Sequence, residues 1–138
     1  MTQSYILAET GSVTFALSAD KVAAVASVGE ITPVPLADSH VAGIAAIRSQ
    51  VITVIDVGLA LGEATSAAQA EPSLIVVEID GHSYGLAVDD IHDVIEIENE
   101  PRSLGAPFSE QWRQIALGVL DIDGKAVIAV DPAAIVQS

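Results

Sequence analysis

SLIVVEIDGHSYGLAV, residues 73 to 88, holds two short apolar runs separated by Asp80-Gly81. In the first run Ile75, Val77 and Ile79 share one side of a period-two pattern, and Leu74 and Val76 are apolar on the other. A strand that is apolar on both sides is buried on both sides. Asp-Gly between two β-rich runs is a strong hairpin signal, because both central residues of a type I′ turn need positive φ. The stretch therefore calls for two packed β layers rather than one open sheet with a wet face.

The same reading extends in both directions. LDIDGKAVIAV repeats the hairpin signal at Asp123-Gly124, and Thr10-Gly11 is expected to turn the hairpin YILAETGSVTFAL. In VTFALS, Val13, Phe15 and Leu17 share a face. With KVAAVAS, AGIAAI, QVITVID, DVIEIE and IALGVLD the chain offers about ten candidate strands. They recur too closely for βαβ crossovers, which need a dozen or more residues. Helix is scarce. ADSHVAG is expected to start with one turn capped by Asp38 or Ser39, and DVGLALGE to form one ending at Gly62. Asp131-Pro132 reads as an N-cap followed by proline at the first helical position, opening a short terminal helix through Val136. GEATSAAQAEP, residues 62 to 72, is the expected link, and NEPRSLGAP, residues 99 to 107, a second long loop. The expectation is one all-β domain over residues 1–138, made of small barrels whose closure protects their strand edges.

Composition narrows the function. A chain of 138 residues suffices for one domain with a real core and not for two ordinary ones. It is 51% hydrophobic but only 4% aromatic, so Val, Ile, Leu and Ala must build that core. No apolar run reaches the roughly 18 to 20 residues needed to span a bilayer, and MTQSYILAETG lacks the parts of a signal peptide. A cytoplasmic location without membrane insertion follows as the expectation. Without cysteine there is neither a disulfide framework nor a thiolate metal site. The formal charge of −14, set against five Lys or Arg, argues against a nucleic-acid partner. Eight acids and no Lys or Arg lie between Glu78 and Glu100, which suits a solvated face or a partner bearing basic residues.

Reactive constellations are missing from the pattern. His40, His82 and His92 are scattered, and only DDIHD, residues 89 to 93, puts carboxylates beside a histidine. Adjacent side chains diverge on a strand, so this is a poor metal site. DIDGK lacks the ligands of a calcium loop, and no phosphate loop or nucleophile elbow occurs. The expectation is a protein with no catalytic residues, no metal and no cofactor. A small-ligand or metal-binding sensor using the acidic 89–98 region is the alternative.

One cation stands out. In HVAGIAAIRSQVITVIDVGLALG, residues 40 to 62, the only charged side chains from Val41 onward are Arg48 and Asp56. ITPVP…VAGIAAIRSQVITVIDV…LG resembles the signature of the CheW-like family, of the form VxGVINLRGxVVPVIDLR…LG. The resemblance runs from about Tyr5 to Val136. DKVAAVASVGEITPVP, with Val22 and Val25, is similar to the stretch before the signature, LIVVEIDGHSYGLAVDDIHDVIEI to the second half, and LGVLDIDGKAVIAVDPAAIV to the closing hairpin and helix.

The resemblance implies a pair of packed five-stranded SH3-like β-barrels with short helical turns and a short C-terminal helix. It also implies a free-standing, non-catalytic chemotaxis adaptor, or a divergent one serving a receptor–kinase pathway other than motility. The implied partners are the regulatory domain of a CheA-type histidine kinase, itself of this fold, and the cytoplasmic tips of methyl-accepting chemoreceptors in membrane arrays. Arg48 matches the arginine of the NLRG element and is implied in coupling; it could equally cap the 47–50 bend. A receptor groove is implied near Val22, Leu74 and Ile91, and a kinase-facing surface at Val41, Gly43, Ile44 and Val54.

The chain departs from the pattern at Ala45-Ala46-Ile47-Arg48-Ser49, where the family's asparagine and the glycine after arginine are both replaced. If that glycine takes positive φ, Ser49 must strain the bend or reshape it. The acid that the family often carries after its KVxE pattern is Ala24 here, with Asp56 or Glu30 as possible substitutes in pairing with Arg48. These departures bear on kinase activation rather than on fold.

Overall fold

The computed structural model describes residues 3–10, 13–27, 30–35, 38–47, 49–61, 73–98 and 114–137. Ten strands follow one another: β1 Gln3–Thr10, β2 Val13–Ser18, β3 Val22–Ser27, β4 Val41–Ile47, β5 Gln50–Asp56, β6 Ser73–Ile79, β7 His82–Val88, β8 Asp90–Ile97, β9 Ala116–Ile122 and β10 Lys125–Val130. A 3-10 turn at Ala19–Lys21 leads into β3, and the short helices α1 (Val57–Ala60) and α2 (Pro132–Val136) follow β5 and β10.

Local chemistry explains the connections. Asp80 and Gly81 take φ of 52° and 81°, and Asp123 and Gly124 take 50° and 82°. Both pairs are the positive-φ turns that Asp-Gly favours. Thr10 is still on its strand and pairs with Val13, so the turn residues of the first hairpin, 11 and 12, lie outside the described residues. Asp56 caps α1 by accepting from the Leu59 amide at 3.0 Å, and Asp131 caps α2 by accepting from Ala133 at 3.1 Å with Pro132 in the first turn. The expected helical turn at ADSHVAG is corrected: Ser39 and His40 form a simple turn closed by Val41 N–H donating to the Asp38 carbonyl at 3.0 Å. The chain enters β4 directly afterwards, so no helical bonds follow. The expected end of a turn at Gly62, the 62–72 link and the 99–107 loop all involve residues outside those described.

The strands form two five-stranded sheets, ordered β8-β1-β2-β10-β9 and β3-β6-β7-β5-β4. The two expected SH3-like units are therefore present, but only one of them, β3–β7, is a contiguous piece of chain. The first two strands of the chain complete a sheet with the last three, and the middle five make the other. Behind this lies an internal repeat, β1–β5 and β6–β10, whose leading hairpins have changed places. Register makes the equivalence plain. Ile128 lies opposite Phe15 and Ala129 opposite Ala16 in one sheet, as Thr53 lies opposite Tyr84 and Val54 opposite Gly85 in the other. The bulges recur as well, between Val41 and Gly43 in β4 and between Gly118 and Ala116 in β9. FALSADKVAAV, residues 15 to 25, then aligns with YGLAVDDIHDV, residues 84 to 94.

Three apolar clusters result. One lies between the sheets and takes Phe15 and Leu17 from β2, Ile75 and Val77 from β6, Leu86 and Val88 from β7, and Ile135 from α2. Another fills the β3–β7 unit with Ile52, Val54, Leu74 and Val76. A third fills the other unit with Tyr5, Ala16, Leu120, Val127 and Ala129. Along β6, odd-numbered residues thus face the other sheet and even-numbered ones their own barrel. That is why SLIVVEI is apolar on both sides. His40, buried at 6% exposure, joins the halves: its Nε2 lies 2.9 Å from the Val136 carbonyl. A carbonyl only accepts, so that nitrogen carries the proton.

Candidate functional site: two docking surfaces

The surfaces of interest are built by β3 and by the β4–β5 hairpin. Val22 opens β3 directly after the 3-10 turn, half-buried against the inter-sheet cluster. It lines a groove of about 450 Å³ whose other walls are Val77, Ile79 and Pro132, with Asp20, Lys21, Glu78 and Asp131 also on its lining. Apolar walls among charged groups are what a docking groove requires. Ile91, the equivalent of Val22 in the second half, is likewise half-buried against the same cluster, but on β8. Leu74 does not reach either surface. It is 0% exposed inside the β3–β7 barrel and can only support a groove from beneath.

On the hairpin, Val41 and Ile44 are half-buried, while Gly43 is buried and Val54 is 0% exposed. Val54 therefore belongs to the core and offers no contact surface, because its place on β5 points into the barrel. Gly43 is the pivot of the region. Its φ is 151°, and a Cβ there would sit 2.2 Å from the Thr32 carbonyl oxygen. The close approach lets Thr32 and Ile44 exchange two backbone hydrogen bonds of 2.8 Å each, which lays the 31–32 segment along β4.

Arg48 lies outside the described residues, between Ile47 and Ser49 at the hairpin tip. Its neighbour Ser49 is described, with φ of 69°. The bend therefore keeps a left-handed residue where the family has glycine, and the serine bears the strain. A non-glycine residue there costs roughly 1–2 kcal/mol, partly offset by the greater freedom of glycine in the unfolded chain. Ser49→Gly is therefore expected to stabilise by about 0.5 kcal/mol, a rise of roughly 2 °C in Tm, in a thermal melt. A lower Tm would show that the serine side chain contributes more than its backbone costs.

Exposed apolar side chains were the feature the sequence reading missed. Val51 at the start of β5 is 69% exposed, Val94 on β8 61%, Leu117 on β9 53% and Val25 on β3 51%. Val25 and Val94 occupy equivalent positions in the repeat, so aligning the two halves would have singled them out. In the acidic region β8 alternates its side chains, and His92 turns to Glu9 at 3.3 Å rather than to its own neighbours. Among the described residues no group of three or more His, Cys, Asp or Glu side chains converges, and no helix is long and apolar enough to cross a membrane.

Fold and surfaces together define a class: a double five-stranded β protein with an apolar groove and exposed valines on its surface. Residues 4–138 match the CheW-like domain, and the chain belongs to that family. It is similar to the "Chemotaxis protein CheW" of Rhizobium meliloti (strain 1021), 26% identical over 101 residues, which is 72% of this chain and 65% of that relative. It is also similar to a solved structure, the scaffolding protein TtCheW from Thermoanaerobacter tengcongensis. The TM-score is 0.81 at 25% identity, covering 95% of this chain and 90% of that one.

Proposed function

We infer that this protein is a non-catalytic adaptor of a chemosensory pathway, coupling a CheA-type histidine kinase to the cytoplasmic tips of chemoreceptors. The observation that carries the reading is the agreement with a scaffolding protein through both sheets, over 95% of the chain. Family membership supports it, as does a surface organised around grooves and exposed valines. In this reading the groove beside Val22 takes an apolar ridge of the receptor. The β4–β5 hairpin, with Val41 and Ile44, faces the regulatory domain of the kinase, and burial of modest apolar patches supplies affinity while charge sets encounter rate. The protein works in the cytoplasm, as a single domain recruited to receptor arrays. The acid-to-alanine change at Ala24 leaves Arg48 to be held by other groups or to meet the partner directly.

The test is reconstitution. The purified protein, a chemoreceptor in nanodiscs and a CheA-type kinase should co-sediment as a ternary complex. Arg48→Glu is expected to weaken that complex at least about tenfold, the scale of one lost charge-assisted contact, with Tm within about 2 °C of the parent. Failure to recruit either partner would overturn the reading, and a large fall in Tm would mark Arg48 as structural instead.

A further inference from the structure

Among the described residues each sheet ends in two edge strands, β3 and β4 in one and β8 and β9 in the other. β3 and β8 are equivalent in the repeat, and each carries one outward valine, Val25 at 51% and Val94 at 61% exposure. Their chemistry differs sharply. β3 reads VAAVAS and bears no charge, whereas β8 reads DIHDVIEI. β8 also borders a groove of about 530 Å³ that separates it from β9. The floor is Ile95, Ile97 and Ile122, half-buried, and Glu96, Glu98, Asp121 and Asp123 line the remainder. Among the described residues none of these four carboxylates has an ion-pair partner; the one ion pair there joins His92 to Glu9.

We propose that this groove docks an extended segment of a partner protein in which apolar residues alternate with lysine or arginine, added as a strand to the outer edge of β8. The edge supplies backbone donors and acceptors in register, as in other strand-addition complexes. Side chains alternate faces along a strand, so one face of the incoming segment meets Ile95 and Ile97 and the other meets Glu96 and Glu98. That alternation specifies the occupant. A second copy of this chain does not fit, because β8 against β8 would set Asp93 and Glu96 against like charges, the means by which edges are kept from self-pairing. No described strand of the chain alternates cations with apolar residues either. The proposal is separate from the kinase and receptor assignment, which concerns β3, the β4–β5 hairpin and, on β8, only Ile91 at its start.

The probe is the peptide acetyl-KVKIKVK-amide, titrated into the intact ¹⁵N-labelled protein, with acetyl-KKVIVKK-amide as an isomer of equal charge and no alternation. The alternating peptide is expected to shift the amides of β8 and β9 and to bind at least about tenfold tighter than the isomer. Glu96→Lys combined with Asp121→Lys should remove that preference while leaving the amide spectrum of the other sheet unchanged, since both side chains are exposed. Equal binding of the two peptides, shifts centred on β3, or undiminished binding by the double variant would each overturn the proposal.

Discussion

Gly43→Ala is expected to destabilise the protein by about 3 kcal/mol or more, a fall in Tm of roughly 10 °C. Two costs coincide at this position. The φ of 151° is one that L side chains rarely adopt, and the added Cβ would lie 2.2 Å from the Thr32 carbonyl oxygen and 2.7 Å from its carbon. The obstacle is backbone, so no rotamer change relieves it. Either the 31–32 segment lifts from β4 and gives up both Thr32–Ile44 hydrogen bonds, or the bulge between Val41 and Gly43 is rebuilt. Each lost bond is itself worth about 1 kcal/mol. A thermal melt measures the total, and faster amide exchange at Ile44 would locate it. A Tm within about 2 °C of the parent would show that the close approach is not maintained in solution.

Phe15→Ala is expected to cost about 3–5 kcal/mol, the range for removing a fully buried phenylalanine side chain. Phe15 is 0% exposed and lies in the cluster that both sheets share, so the cavity opens where the two units meet rather than inside one of them. The mutation should therefore lower the urea midpoint of both sheets together, followed by amide exchange at Ala16 in one and Ile75 in the other. The shared cluster enforces this: Phe15 and Leu17 of one sheet pack in it with Ile75 and Leu86 of the other. Unfolding of the first sheet with the second left intact would contradict the coupling, as would a loss below about 1 kcal/mol.

Much of the molecule was legible because it is decided locally. The ten strands, the turns at Asp80-Gly81 and Asp123-Gly124, and the cap at Asp131 all depend on residues within a few positions of one another. The same holds for the bend at Ser49, where a residue type replaced against the family pattern pointed to a strained φ that the structure contains. The candidate surface was legible only in part. Val22, Val41, Ile44 and Ile91 are half-buried, as surface residues of a groove can be, but Val54 and Leu74 are wholly inside a barrel. Valine and leucine on a strand that is apolar on both sides carry no mark of which side meets solvent.

By itself the sequence determined the β content, the hairpins, the short capped helices and, through ITPVP…VAGIAAIRSQVITVIDV…LG, the family. The local elements among these follow from φ preferences, side-chain period and capping, which act over a few residues, and the family from the resemblance of that motif. Only the tertiary structure decided that the leading hairpins of the two halves are exchanged, that Val25 and Val94 are left outside, and that the acids of β8 and β9 gather around one groove. Strand pairing joins residues far apart in the chain, and backbone hydrogen bonds are the same for every residue, so the local pattern carries no record of which strand lies beside which.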